Sequence, residues 1–159
     1  MPLPRRDVDY GAAVYGSVLV AALVAAKFES GVDAGAMTLT LAATTIVFWL
    51  AHVWSHAIGE RVAGGAVTPR RLRSLAAGQW PLVEAGLVPA ALLALAWAGV
   101  YSRDTGAELA LAAALLQLFG WGFLAAWRPR QPLAVALLSA LVTGALGAAI
   151  VALEVLVLH

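Results

Sequence analysis

Cysteine is absent from this chain of 159 residues. That excludes disulfides, thiolate metal sites, Cys-x-x-Cys redox chemistry and a cysteine nucleophile, and it leaves the redox compartment unread. Charge is scarce as well: 12% of the residues are Asp, Glu, Lys or Arg, against about 25% in a soluble globular domain. So low a charged fraction beside 62% hydrophobic residues excludes an ordinary cytosolic enzyme and a disordered chain alike. An excess of one sign is missing too. The formal net charge of +1 gives no bulk attraction to nucleic acid, so no nucleic-acid partner is expected. No polar stretch is long enough to form a soluble domain, and no internal repeat is visible.

What the chain does have is long apolar runs. About 20 mostly apolar residues in a helix cross the roughly 30 Å of bilayer hydrocarbon. Five such runs occur, over residues 10–28, 34–59, 80–101, 109–127 and 131–158. They lack the period-2 alternation of barrel strands, and backbone groups in lipid must be satisfied internally, so helices are predicted. The expected fold class is all-α: a polytopic membrane helix bundle of five transmembrane helices, residues 1–159 forming one domain. Gly31, Asp33 and Gly35 separate the first two runs, and Gly64, Gly65, Thr68 and Pro69 end the second. Thr68-Pro69 can also open a helix, which predicts an interfacial basic helix over residues 69–79. Pro81 and Pro89 would kink the run that follows. Thr105 with Glu108 three residues on is a capping box opening the fourth run, and Pro129 and Pro132 bracket the last turn.

Orientation follows from the arginines. With the N-terminus inside, the cytoplasmic side holds Arg5, Arg6, Arg61, Arg70, Arg71, Arg73, Arg128 and Arg130, and the outside only Lys27 and Arg103. This asymmetry predicts N-terminus in and C-terminus out. Trp80 and Trp127 then sit at the inner interface and Tyr101 at the outer one. Asp7 and Asp9 disfavour a cleaved signal peptide, so the first run is read as a retained span.

Ionisable groups within membrane spans are costly and are functional candidates for that reason. His52 and His56 lie four apart and share one helical face. With Thr45 and Trp49 they form a polar and aromatic stripe approaching the cytoplasmic end, and Glu60 follows one turn on. Glu84, one turn into the third run beside Pro81, is expected at the depth of His56 on an antiparallel neighbour. Such a cluster can pass protons, since imidazole titrates near pH 6.5. Alternatively, His52, His56 and Glu84 can bind a divalent metal, or merely tie two helices together. Gln117, at mid-membrane with Trp121 one turn on, lines a pore or bonds to a neighbouring helix. Ser139, Thr143 and Gly147 recur every four residues, as do Ala140, Gly144 and Ala148, and such small ridges let another helix approach closely. Arg70, Arg71 and Arg73 can bind anionic lipid head groups or only hold their loop inside.

The run from Val47 through Phe48, Trp49, Leu50, Ala51, His52, Val53 and Trp54 to His56, Gly59, Glu60 and Arg61 resembles small integral membrane proteins of high-GC bacteria. The resemblance implies a multi-pass protein of the plasma (inner) membrane and no activity. Two functions are therefore carried forward. One is a proton or cation channel or carrier lined by His52, His56, Glu84 and Gln117; 159 residues leave little room for a pore in one chain, so it implies a homo-oligomer. The other is a non-catalytic structural or interaction protein. A membrane-embedded enzyme is disfavoured because no nucleophile–base pair is readable. No cofactor is expected beyond the alternative of a divalent metal, and the lipid bilayer is the one certain partner.

Overall fold

A computed structural model of the chain describes residues 9–127 and 131–158. Among them six helices form: α1 Tyr10–Glu29, α2 Ala34–Val62, α3 Pro69–Gly78, α4 Pro81–Trp97, α5 Arg103–Trp127 and α6 Leu133–Leu158. Side chains cap their starts. The Asp9 carboxylate accepts from the Ala12 N–H at 3.0 Å and that of Asp33 from the Ala36 N–H at 3.0 Å. The Thr68 hydroxyl accepts from the Arg71 N–H at 3.2 Å, with Pro69 pre-set for the first helical position. Glycine ends α4: Gly99 has φ 80°, its N–H donates to the Ala96 carbonyl, and the Val100 N–H donates to that of Leu95. This left-handed cap satisfies carbonyls the helix would otherwise leave open.

α1, α2, α5 and α6 are each long and apolar enough to cross a membrane, and α3 with α4, bent by 47°, makes a fifth such unit if counted as one span. The chain is thus built as a membrane protein. α1 lies in the middle, against α4, α5 and α6; α2 packs chiefly on α4 and only lightly on α1; α3 rests on the later part of α2. The core joins Val20, Ala21 and Val24 of α1 to Met37 and Leu41 of α2, Leu93 of α4, and Ala107, Ala110 and Ala114 of α5. Alanine and glycine let these helices approach. A Cβ at Gly16 would stand 2.9 Å from the Leu82 carbonyl oxygen. Leu39, Val47, Leu116, Leu138, Leu141 and Leu153 face outward. Small residues inside and large apolar ones outside suit helices solvated by lipid, where close van der Waals packing replaces the hydrophobic effect.

Long-range polar contacts define two ends. Gln79 donates to Asp9 at 3.0 Å and the Tyr10 ring meets that of Trp121, so the start of α1, the α3–α4 junction and the end of α5 share one end with Arg70, Arg71 and Arg73. At the other end Arg103 donates to the carbonyls of Phe28 and Val32, both at 2.6 Å, and its guanidinium lies 5.2 Å from the centre of the Phe28 ring.

Several expected boundaries shift. The fourth span opens at Arg103, because the Ser102 hydroxyl caps it by accepting from the Thr105 N–H at 3.1 Å. Thr105 and Glu108 therefore lie inside the helix and do not open it. The third span ends at Trp97, four residues before Tyr101, because Gly99 stops it; Tyr101 folds back and donates to the Leu92 carbonyl at 2.6 Å. The chain bends at the α3–α4 junction, while α4 runs unbroken through Pro89. Arg5, Arg6, Arg128, Pro129, Arg130 and His159 lie outside the described residues.

Candidate functional site

α2 has 29 residues and a length of about 43 Å, which exceeds the roughly 30 Å of hydrocarbon. His52 is half-buried and His56 exposed. Each ring is held by its own helix. His52 Nδ1 lies 3.3 Å from the Phe48 carbonyl and His56 Nδ1 3.0 Å from the His52 carbonyl. Carbonyls only accept, so each Nδ1 donates, and in a neutral imidazole held this way the Nε2 atom presents the lone pair. The rings are 6.4 Å apart between centroids and tilted by 31°. Tyr15 of α1 covers His52 at 5.0 Å and reaches Phe48 at 6.3 Å. Nothing in the α1 sequence marks Tyr15 for this contact; the signal is tertiary.

Glu84 does not join the histidines. Gly86 is the residue of α4 that faces α2, since a Cβ there would stand 2.9 Å from the Thr45 hydroxyl oxygen. Two residues along a helix is a rotation of about 200°, so Glu84 points to the opposite side. There it is exposed, in line with Leu87, Val88 and Leu95. The depth also misses. Thr45 is level with Gly86, and His56 lies eleven residues beyond Thr45, about 16 Å along α2, while Glu84 lies only about 3 Å from Gly86. The expected three-residue cluster therefore does not form, and among the described residues no three His, Asp or Glu side chains stand as a metal's ligand set.

The remaining polar groups of the stripe have partners in their own chain. The Thr45 hydroxyl donates to the Leu41 carbonyl at 2.7 Å. The Trp49 indole N–H donates to the Ala76 carbonyl of α3 at 3.0 Å and its ring meets Trp80 edge-on at 5.7 Å. α3 seats Leu72, Leu75 and Ala76 against Val53 and Ala57. Arg70 and Arg73 project from its exposed face, but Arg71 turns to Glu60. Its Nε donates to both Glu60 carboxylate oxygens at 2.9 Å, and this bond raises the Arg71 pKa above its ordinary value. Arg71 is thus ion-paired, while all three arginines stay exposed.

Gln117 faces inward from α5, and its Oε1 and the Trp121 Nε1, one turn apart, are buried without a hydrogen-bond partner among the described residues; Gln79 Oε1 is a third such atom. On α6 the Ser139 hydroxyl donates to the Gly122 carbonyl at 2.8 Å, and Thr143 bonds back to the Ser139 carbonyl at 2.7 Å. A Cβ at Gly122 would stand 2.6 Å from the Thr143 hydroxyl oxygen, and one at Gly147 would strike Leu118. Ser139, Thr143 and Gly147 thus face α5 of the same chain, while Gly144 is looser, with Phe119 at 3.7 Å from its virtual Cβ. Compared with known protein families, curated proteins and solved structures, the chain finds no match.

Proposed function

We propose that this is a non-catalytic multi-pass protein of the bacterial plasma membrane that works through contacts with other membrane components, with five spans, the N-terminus cytoplasmic and the C-terminus outside. The observation that carries this reading is where the polar side chains go. Ser17, deep in the bundle, returns its proton to the Ala13 carbonyl at 3.0 Å. Thr45, Trp49, Ser139 and Thr143 are likewise bonded within the chain. The core where α1, α4 and α5 meet is Val20, Ala21, Val24, Leu93, Ala107, Ala110 and Ala114, which give protons or cations no polar footholds. Polar contacts of this kind tie membrane helices together at about 0.6–2 kcal/mol each. Vesicles reconstituted with the purified chain and given a pH gradient test the reading. Proton and cation leak should equal that of empty vesicles from pH 5 to 8, and a protein-dependent flux would overturn it.

One observation favours a second reading, an oligomer that carries protons or cations between chains. Glu84 is exposed on an otherwise apolar helix face, and ionisable groups in membrane spans ordinarily face other protein or water. On this reading a second copy covers Glu84. Glu84→Gln would then change the oligomer mass measured in lipid nanodiscs; an unchanged monomeric mass for both proteins would remove it.

A further inference from the structure

We infer that His52 and His56 form a two-imidazole site for a divalent first-row transition-metal ion such as Zn2+, Ni2+ or Cu2+, completed by water, at the arginine-bearing end of α2. Spacing of four brings the two rings onto one helical face, and they sit 6.4 Å apart between centroids. With Nε2–metal bonds of about 2.1 Å, two imidazoles at the tetrahedral angle on one ion have centroids about 5.3 Å apart, and about 6.5 Å only if they stand opposite each other across it. A rotation about the side-chain bonds that closes the gap by about 1 Å and turns both Nε2 atoms toward the ion therefore brings the pair into chelating position.

The hydrogen bonds point the same way. A histidine that ligates a metal almost always donates its other ring N–H to a carbonyl, carboxylate or water, which fixes the tautomer and the ring direction. Both rings here have that support already, His52 Nδ1 on the Phe48 carbonyl and His56 Nδ1 on the His52 carbonyl, at 3.3 and 3.0 Å. No described contact engages either Nε2. Tyr15 packs on His52 at 5.0 Å and restricts its ring, while His56 is exposed.

The site stops at two protein ligands. Glu60, one turn beyond His56, is held by Arg71, and Glu84 points away on α4. Two imidazoles leave coordination positions to water, so the ion exchanges and is no fixed structural centre of the four-ligand kind. Imidazole nitrogen suits zinc, nickel and copper over magnesium or calcium, which prefer oxygen. The site is independent of whether the protein transports anything.

The test uses the full chain in detergent without a histidine tag, stripped with EDTA, and titrated with Zn2+ by calorimetry and with Cu2+ by electron paramagnetic resonance. About one ion per chain should bind, with nitrogen coupling in the copper spectrum. His52→Ala and His56→Ala should each weaken binding at least tenfold, and the double variant should be little worse than either. His159→Ala should leave binding unchanged, which separates the site from the third histidine of the chain. A variant combining His56→Ala with Trp54→His keeps two histidines but sets them about 200° apart around the helix, and it should bind as weakly as the single variants. A circular dichroism melt confirms that each variant is folded. Equal Zn2+ affinity in the folded wild type and the His52→Ala or His56→Ala variants would overturn the site, as would full binding by the Trp54→His, His56→Ala variant.

Discussion

Gly147 sets how closely α6 can approach α5. Its missing side chain leaves room for Leu118, with Leu115 next at 3.2 Å from a virtual Cβ. Gly147→Leu should therefore overpack this contact and cost about 1–3 kcal/mol, read as a lowered melting temperature in detergent. Gly144→Ala, which meets only Phe119 at 3.7 Å, should leave the melt nearly unchanged. Arg103 works in the opposite sense, by adding bonds. The guanidinium reaches the carbonyl of Phe28 in the last turn of α1 and that of Val32 in the turn after it, both at 2.6 Å, and so ties the end of α1 to the start of α5. Charge-assisted bonds of this type contribute about 1.5–3 kcal/mol. Arg103→Ala should destabilise the fold by an amount in that range and expose residues 30–33 to proteolysis, and Arg103→Lys should recover only part, because an ammonium cannot reproduce the planar fork. Gln117 is a different case. Its Oε1 has no partner among the described residues, so Gln117→Leu removes no described bond of that atom and should be close to neutral in the same melt; a large loss of stability would show that the amide is held by a group outside them, an ordered ligand or water.

At the scale of the element, α3 shows where sequence reading succeeds and where it stops. Thr68-Pro69 makes the helix over 69–79 legible, and the observed helix runs Pro69–Gly78. Apolar length likewise makes the other helices readable, since lipid solvation rewards it whatever the tertiary contacts. The boundaries that moved depended on local cap geometry, at Ser102 and Gly99, which hydropathy does not register. The site was legible only in part. The pairing of His52 with His56 is fixed by helical spacing and needs no partner helix. The meeting of Glu84 with His56 required the rotation of α4 about its axis, and that is decided by Gly86 seating on Thr45 and Gly16 on Leu82, contacts that alanine-rich helices can make in several registers. α3 itself is held to α2 by Trp49 on the Ala76 carbonyl, a group left without a helical donor by the turn before Pro81. Trp49→Phe keeps most of the ring but removes the N–H. Amide hydrogen exchange within residues 69–78 should accelerate several-fold in this variant while exchange in α1 and α5 stays as it was; uniform acceleration would mean that Trp49 supports the whole bundle.

For the whole molecule the decisive quantity is the number of crossings, because its parity fixes whether the two termini share a side. α4 alone has 17 residues, about 25 Å, a little short of the hydrocarbon thickness. Length alone therefore allows four spans or five. The polar contacts favour five. Gln79, just before α4, is bonded to Asp9 at the start of α1, whereas Arg103, just after it, is bonded to Phe28 near the end of α1. α4 thus runs from one end of α1 to the other, which fits the five spans proposed above. The chain bends by 47° between the basic helix and α4. Arg61, Arg70, Arg71 and Arg73 gather at the end holding the start of α1, and Lys27 and Arg103 at the other. On the proposed topology the first end is the cytoplasmic one, as the positive-inside bias expects. Alkaline phosphatase, which is active only outside the cytoplasm, should be active when fused after His159 or in the loop at Gly31, and inactive when fused at Gly65. Activity at Gly65 would reverse the orientation. Activity at Gly31 without activity after His159 would reduce the crossings to an even number and leave α4 as a helix that enters the membrane without leaving it on the far side.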